Sequence, residues 1–231
     1  MKMQKLLFIT VFHLAILCVD AKWKLAVQWR ATLCQAPIKP SCQQPILEKF
    51  TIHGLWDNKP CKTVGNPLSP QEIQQLTSNL KLSEVWPDRA NTTTDNENFW
   101  QHEWLKHGHC KRLGSLLYFQ TAVNVYNKFP ILSYLQAEGI NPGSKFRVQD
   151  IHEAIFKQGG FRPQVVCGGN KLQELRICFD TPAFKGFTAV NCTTSSTPSP
   201  PSPPRPPSPP SPPPPPKCEE EEQKMITLPK A

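Results

Sequence analysis

The sequence predicts an α+β fold in which an antiparallel sheet packs against several helices and disulfide bonds cross-link the chain. Strand-like segments occur near both ends of the globular part, while helical patterns cluster between them, which disfavours an alternating β–α–β order. Eight of the nine cysteines follow an apolar leader, and an even number of cysteines in an exported chain favours disulfides. A length of 231 residues is enough for one sizeable core.

Residues 1–21 have the pattern of a secretory signal peptide. Lys2 and Lys5 form a basic start, and the apolar run that follows is too short to span a bilayer comfortably. Small residues lie just before Lys22, where we expect the mature chain to begin. The sequence therefore predicts a secreted, extracellular protein, with a vacuolar route left open, and no membrane association after the signal is cleaved.

The first predicted elements are two strands. Apolar residues alternate with small or polar ones in Trp23–Trp29, which predicts a strand with one face on the core and one face in solvent. Phe50–Leu55 is the second predicted strand. Its alternation puts His53 and Leu55 on one face and Ile52 on the other.

Two helices are predicted from their starting signals. The tetrapeptide that begins at Ser69 is a capping box with proline at the first helical position, and it predicts a helix to about Lys81. The tetrapeptide that begins at Thr94 has the same capping signature and predicts a helix that ends near Gly108.

Further elements complete one predicted domain over residues 22–193. The predicted helices are Ser115–Lys128, Pro130–Ala137 and Gln149–Lys157, and the predicted late strands are Gln164–Cys167, Glu174–Phe179 and Phe187–Val190.

The composition changes sharply after Thr193. Residues 194–217 are a proline- and serine-rich linker, which favours polyproline II over packed structure because proline fixes φ and lacks a donor. The proline runs resemble extensin modules of plant cell walls, which implies wall association through this segment; a stiff spacer is the equal alternative. Residues 218–231 contain an acidic run, Glu219–Glu222, and are predicted as an acidic, disordered tail.

Charge and sequons add two weaker predictions. A net charge of +8 suits a polyanionic partner. Asn91 and Asn191 each begin a glycosylation sequon. Asn91 is the better candidate, because a bridged Cys192 at the middle position of the second sequon argues against its use.

Two segments contain four of the six histidines. They are Phe50–Trp56, with the sequence FTIHGLW, and Phe99–Cys110, with the sequence FWQHEWLKHGHC. On a helix of about 100° per residue, His102, Glu103, Lys106 and His107 fall within about 140° of one another. Two imidazoles, a carboxylate and an ammonium group can move protons and stabilise an anion.

The sequence does not favour a metal site or any other cofactor. His102 and His107 are five residues apart, whereas a zinc-protease helix needs histidines four apart on one face. The cysteines contain no Cys-x-x-Cys pair of the kind that binds zinc.

The order and spacing of the two histidine segments resemble the paired active-site segments of the RNase T2 family. That family consists of secreted endoribonucleases and includes the plant self-incompatibility S-RNases. The resemblance covers about residues 22–193 and implies an RNase T2-like fold that cleaves single-stranded RNA by transphosphorylation, without a metal, to 2′,3′-cyclic phosphate ends. DNA is expected to be inert, because the nucleophile is the 2′-hydroxyl of the substrate.

The resemblance implies a role for each residue. His107 would be the general base on the 2′-hydroxyl, and His53 the general acid on the departing 5′-oxygen. His102 would bind phosphate. Glu103 and Lys106 would stabilise the phosphorane and orient His107.

Weaker correspondences concern the bases of the RNA. Trp56 matches a base-stacking tryptophan, Asn58 stands where a base-contacting aspartate is common, and Gln28 matches a glutamine of a second nucleotide subsite. The chain departs from the usual pattern at Asp57, which would put a negative charge beside the base site, and at His109. His109 is either an extra cation or a surface residue, and we favour the surface residue.

The resemblance also suggests three disulfides: Cys34–Cys42, Cys61–Cys110 and Cys167–Cys192. Cys178 and Cys218 are then left over, and their pairing is uncertain. Spacing alone does not fix the pairing of eight cysteines.

Within plants, the alternatives are an S-RNase that acts in pollen recognition and an S-like ribonuclease of defence or phosphate recycling. The basic charge leans toward the former. A different class, a secreted cell-wall or carbohydrate-binding protein that has lost catalysis, is the runner-up, and the complete set of histidines, glutamate and lysine argues against it.

Overall fold

Mostly antiparallel strands pack against helices in the computed structural model, which describes residues 23–35, 42–57, 59, 61–63, 65–111, 113–180, 186, 188–192, 218 and 222–231. The strands are β1 (Trp23–Trp29), β2 (Phe50–Asp57), β3 (Lys145–Arg147), β4 (Gln164–Gly168), β5 (Lys171–Phe179), β6 (Ala189–Val190) and β7 (Met225–Thr227). The described strands form one seven-stranded sheet in the order β2-β1-β5-β7-β3, with β4 and β6 also paired to β5. The predicted α+β class is confirmed.

The helices occupy the middle of the chain, as the sequence predicts. They are α1 (Arg30–Gln35), α2 (Pro70–Leu80), α3 (Leu82–Val85), α4 (Thr93–Glu103), α5 (Ser115–Lys128), α6 (Ile131–Ala137) and α7 (Val148–Gly159). A π-helical turn, Trp104–Gly108, and a 3₁₀ turn, His109–Lys111, follow α4 directly. None of the helices in the described residues has the length and apolar character that a membrane span needs.

Strand β1 lies between β2 and β5 and is buried on both faces. Leu25, Val27 and Trp29 enter the core, as their alternation predicts. The prediction of a solvent-facing second side is wrong, because Ala26 and Gln28 are buried as well. A strand that is paired on both edges and covered on both faces has no wet side.

Strand β2 contains a β-bulge at His53. Ile52 lies opposite Val27 and Gly54 lies opposite Ala26, so His53 is the extra residue on its strand. A bulge interrupts the two-residue alternation of side chains. For this reason Leu55 is buried in the core together with Ile52, although strict alternation predicts opposite faces.

The capping box at α2 is confirmed. The Ser69 hydroxyl accepts a hydrogen bond from the Glu72 backbone N–H at 3.3 Å, and the Glu72 carboxylate accepts one from the Ser69 backbone N–H at 2.8 Å. Helix α4 begins earlier than predicted, because the Thr92 side chain, rather than that of Thr94, caps it by accepting from the Asp95 backbone N–H at 3.2 Å.

The core lies between the sheet and the central helices. Large aromatic side chains fill it, and several of them bond to the backbone: the indole N–H groups of Trp86 and Trp100 donate to the carbonyl oxygens of His53 and Trp86, respectively. The hydroxyl of Tyr118, on α5, donates to the Leu55 carbonyl oxygen at 2.9 Å. These bonds connect β2 to Trp86 and to α5, and Trp86 in turn connects to α4 through Trp100.

Four disulfides cross-link the described residues. Cys34–Cys42 and Cys61–Cys110 confirm the predicted pairs. The predicted Cys167–Cys192 pair is wrong: the bonds are Cys167–Cys218 and Cys178–Cys192.

Strand pairing explains this difference. Cys178 lies opposite Val190, two residues before Cys192, at one end of β5. Cys167 lies opposite Leu172 at the other end of β5, where β7 pairs with Lys171. The long strand therefore holds Cys167 and Cys178 at opposite ends, each beside a different partner.

The C-terminal residues are part of the fold, in contrast to the predicted disordered tail. Strand β7 pairs with β3 and β5, and Ile226 and Leu228 are buried. The indole N–H of Trp29 donates to the Pro229 carbonyl oxygen at 2.8 Å. These apolar residues follow the acidic run, and burial of their side chains favours docking on the sheet.

Some predictions lie outside the described residues. These are the signal peptide over residues 1–21, the proline-rich linker over residues 194–217, and Asn58. The linker stands between Cys192 and Cys218, both of which belong to the fold. It is therefore an interruption within the domain sequence.

Candidate active site

The π-helical turn brings the second histidine segment into its arrangement. The backbone N–H of His109 bonds to the carbonyl oxygen of Trp104, five residues earlier. In an α-helix, residues five apart diverge by about 140°, and a π-type turn reduces this divergence. His102 and His107 lie one on each side of the junction, and the charge of His102 is among those that lower the pKa of His107.

Trp56 connects the two histidine segments. Its ring centroid lies 5.0 Å from that of His53 and 5.6 Å from that of His107. Its indole N–H donates to Glu103 at 2.8 Å. The structure therefore brings His53 and His107 to one place, next to the same indole.

Gly54 makes this packing possible. A Cβ at position 54 would overlap the Trp56 indole nitrogen and the Glu103 carboxylate. The absence of a side chain lets both groups lie directly over strand β2.

Glu103 is a buried carboxylate, only 3% exposed. Burial raises the pKa of Glu103, against the hydrogen bond from Trp56 and the charges of His53 and Lys106, which lower it. Buried carboxylates need such partners. Here the partners are themselves groups of the site.

His53 forms an ion pair that was not predicted. Its Nδ1 lies 2.5 Å from Oε2 of Glu174 on β5. Burial lowers the pKa of His53, but the hydrogen bond and charge of Glu174, together with the charge of Glu103, outweigh burial and raise the pKa above its ordinary value. His53 is therefore biased toward its protonated form.

His107 has the opposite bias. Burial and neighbouring cations lower the pKa of His107 to about 4. The Nδ1 atom of His107 is buried and forms no hydrogen bond within the described residues. The cations that lower its pKa, in order of effect, are Lys106, His102, Lys111 and His53.

His102 and Lys106 are exposed beside this pair. Burial, followed by the charges of Lys106 and His53, lowers the pKa of His102. Two nitrogen donors at the open side of the cluster form a suitable place for an anionic group.

The residues with predicted base contacts have mixed surroundings. Trp56 is half-buried, and the guanidinium carbon of Arg176 lies 5.4 Å from its ring centroid. Gln28 is buried on β1, opposite Glu174.

The two departures from the usual pattern have structural partners. Asp57 accepts from the Lys111 ammonium at 2.7 Å, so its charge is paired. His109 is half-buried, and its ring packs against Gly65 and Trp104, so the prediction of a surface residue is wrong.

The two predicted glycosylation sites differ in their side-chain hydrogen bonds. The Asn91 side chain is bonded on both sides, donating to Gln43 and accepting from Asn96. Asn191 is exposed, with its side-chain oxygen accepting from the Arg162 backbone N–H.

Sequence reasoning missed Glu174 and Arg176. The Arg176 Nε donates to Glu174 Oε1 at 2.6 Å. A signal was present, because two charged residues alternate with Leu175 and Ile177 on a strand whose apolar residues are fully buried. Opposite charges on the second face of a buried strand indicate a polar site.

The described residues contain no group of three or more His, Cys, Asp or Glu placed to hold a metal ion. The site that the geometry defines is a cluster of histidines, carboxylates and cations around one tryptophan.

The profile of the ribonuclease T2 family matches residues 21–192. The chain belongs to the ribonuclease T2 family. It is 35% identical over 209 residues to "Intracellular ribonuclease LX" of Solanum lycopersicum, a match that covers 80% of this chain and 86% of the tomato protein. It is 32% identical to "Ribonuclease S-7" of Nicotiana alata, with 68% of this chain and 76% of that protein covered.

The solved structure of ribonuclease MC1 from bitter gourd seeds has the same fold. It superimposes with a TM-score of 0.64 at 28% identity and covers 75% of this chain and 94% of that protein. A mutant of the bitter gourd enzyme was solved in complex with 5′-GMP. This chain is thus a T2-type endoribonuclease.

Proposed function

We propose that this ribonuclease is secreted and cleaves single-stranded RNA by metal-independent transphosphorylation, with His107 and His53 as the two proton-transfer groups. One observation carries the proposal. The two imidazoles pack against the same indole and have opposite protonation preferences.

His107 acts as the general base. Its pKa of about 4 leaves the ring neutral near neutral pH, so that it can accept the proton of a ribose 2′-hydroxyl. The 2′-oxygen then attacks the adjacent phosphorus. DNA lacks this hydroxyl and is not a substrate.

His53 acts as the general acid. Its raised pKa keeps a proton on the ring for transfer to the 5′-oxygen as the P–O5′ bond breaks. The products are a 2′,3′-cyclic phosphate and a free 5′-hydroxyl. Hydrolysis of the cyclic phosphate reverses the two proton-transfer roles, with water in place of the 5′-hydroxyl.

The remaining residues bind the charge that develops on phosphorus. His102 and Lys106 stand at the exposed edge beside His107 and contact the phosphate oxygens. Glu103 holds Trp56 through the indole N–H and offsets the positive charge of the cluster. Trp56 and Gln28 contact bases, and Asn58 has the same proposed role.

Export is the proposed location, on the basis of the signal peptide over residues 1–21. Relatives carry the names "Extracellular ribonuclease LE" and "Intracellular ribonuclease LX", so a vacuolar route is the competing destination. The proline-rich segment is the proposed contact with the cell wall. Segregation of sequence variants with mating type would distinguish an S-RNase role from an S-like role.

The decisive experiment incubates the purified protein with RNA and a chelator and examines the ends of the products. We expect 2′,3′-cyclic phosphate ends. His107→Ala is expected to lower turnover by about 10²-fold or more. His152→Gln, on α7, is the matched histidine control and should leave turnover unchanged.

Three results would contradict the proposal. Intact RNA would favour the alternative of an inactive wall or carbohydrate-binding protein. Recovery of activity on addition of zinc would require a metal mechanism. Cleavage of single-stranded DNA at a comparable rate would exclude the 2′-hydroxyl as the nucleophile.

A further inference from the structure

Glu174 is a buried carboxylate with both oxygens engaged. Its Oε2 lies 2.5 Å from Nδ1 of His53, and its Oε1 accepts from Nε of Arg176 at 2.6 Å. The residue is 4% exposed. Charge-assisted bonds on both oxygens give a buried carboxylate a well-defined orientation.

We propose that Glu174 is the positioning residue of the general acid: it holds the proton on Nδ1 of His53, so that Nε2 is the nitrogen that delivers a proton to the leaving 5′-oxygen. The proposal rests on the acid role of His53 given above. It adds a third group to the proton-transfer pair.

The geometry of the ring supports this assignment. A protonated imidazole carries hydrogen on both nitrogens. Because Glu174 occupies Nδ1, Nε2 is the remaining donor, and the His53 side chain is 36% exposed although its partner is buried. When the Nε2 proton leaves, the neutral ring keeps its proton on Nδ1, and the bond to Glu174 persists in both states.

Arg176 keeps Glu174 in place and charged. The Arg176 guanidinium also donates to Gln164 Oε1 at 3.2 Å, and Gln164 lies directly opposite Arg176 on β4. Burial alone would raise the pKa of Glu174, but His53 and Arg176 lower it below its ordinary value. The carboxylate therefore stays an acceptor and does not take the proton from His53.

Other charged groups also act on His53, but within the described residues Glu174 is the charged side chain that bonds to its ring. Glu103 is the second carboxylate, and its Oε2 is bonded to the Trp56 indole. Five titratable or charged side chains interact electrostatically with His53: Glu174, Glu103, Arg176, His102 and His107. Glu174 is thus the group that can fix the orientation of the His53 ring.

The first test is a pH profile of Glu174→Gln. The carboxamide keeps the size of the side chain and removes its charge, so we expect kcat on RNA to fall roughly 10–100-fold. The alkaline limb of kcat/KM should move to lower pH by about 1–3 units, while the acid limb stays in place. Glu153→Gln, on the exposed face of α7, is the matched control and should change neither limb.

The second test uses a nucleoside 3′-(4-nitrophenyl phosphate), whose nitrophenolate departs without a proton. The decrease in kcat that Glu174→Gln causes on RNA, relative to the unmodified enzyme, should largely disappear on this substrate. His53→Ala should behave in the same way, and His107→Ala should stay impaired on both substrates. Equal loss on both substrates with an unmoved alkaline limb would make Glu174 a structural residue only.

A third measurement needs no variant. NMR of the ring nitrogens of His53 in the unmodified protein should show the neutral ring protonated on Nδ1. Protonation on Nε2 instead would overturn the proposal. Full activity of His53→Ala on RNA would refute the proposed acid role itself, and that outcome is distinct from a failure at Glu174 alone.

Discussion

The protonation states of His53 and His107 follow from what each ring contacts. His53 faces a buried carboxylate, whereas the Nδ1 of His107 forms no hydrogen bond within the described residues and its ring is surrounded by cations. Because the pKa values of the two rings are shifted in opposite directions, His53 can be protonated and His107 neutral at the same pH. A base must be neutral and an acid must be protonated, so both requirements are met between the two pKa values.

This electrostatic difference predicts the pH profile of kcat/KM. Activity should fall below about pH 4, where His107 becomes protonated, and fall again above the ordinary histidine value of about 6.5, where His53 loses its proton. Lys106→Gln should move the acid limb to higher pH, because it removes the positive charge that lowers the pKa of His107 most. Initial rates on a short RNA from pH 3 to 9 measure both limbs, and an acid limb near 6.5 would contradict this assignment.

Gly54→Ala should disrupt the contact between Trp56 and Glu103. The added methyl group would overlap both side chains, so we expect a loss of kcat and a destabilisation of about 1–3 kcal/mol from overpacking. Gly114→Ala is the matched control, because no atom lies within 4 Å of a Cβ at that position. Kinetics and thermal unfolding of both variants provide the measurement, and normal kcat in Gly54→Ala would argue against the role of this packing.

At the residue scale, the sequence predicted the groups that are close together along the chain. His102, Glu103, Lys106 and His107 share one short segment, and α-helical geometry already predicts them within about 140° of one another. Glu174 lies 121 residues from His53, so only the pairing of β5 with β1 brings it to the site. No local pattern contains that pairing.

At the element scale, two irregularities adjust the site. The bulge in β2 accommodates His53 as an unpaired residue, and the π-helical turn changes the direction of the segment after Glu103. Both kinds of irregularity are frequent at functional sites. A prediction from periodicity assumes regular spacing. For this reason it put Leu55 and Ile52 on opposite faces of β2, and it treated the residues up to Gly108 as one α-helix.

The capping box of α2 supports stability without a part in catalysis. Ser69→Ala should destabilise the protein by about 1 kcal/mol, because the backbone N–H of Glu72 loses its acceptor. The same Glu72 carboxylate also accepts from Ser115 on α5, so the loss should extend to the contact between the two helices. Ser78→Ala, an exposed hydroxyl within α2, is the control, and equal unfolding free energies of the two variants would contradict the prediction.

At the scale of the whole molecule, the last residues of the chain complete the sheet. Strand β7 joins β3 to β5, and the Pro229 carbonyl accepts the indole N–H of Trp29 on the strand next to the site. The sequence did not predict this, because a three-residue strand after an acidic run has no detectable period. The partners of Cys167 and Cys178 were missed because they depend on which strands lie side by side.

Removal of the Cys167–Cys218 bridge by a double serine substitution should cost more stability than removal of Cys34–Cys42. The sequence separations are 51 and 8 residues, and the chain-entropy estimate gives roughly 4 and 2.5 kcal/mol. Denaturant unfolding of the two double mutants gives the comparison. A larger loss for the shorter loop would show that effects other than loop entropy dominate.

The position of the proline-rich segment between two bridged cysteines affects how the protein would respond to a protease. A single cut between Cys192 and Cys218 leaves the second fragment joined to the first by the Cys167–Cys218 bond and by β7. The nicked enzyme would migrate as one band on a non-reducing gel and separate into two fragments after thiol treatment. Processing at this point can thus change the number of chain ends without detaching any strand of the sheet.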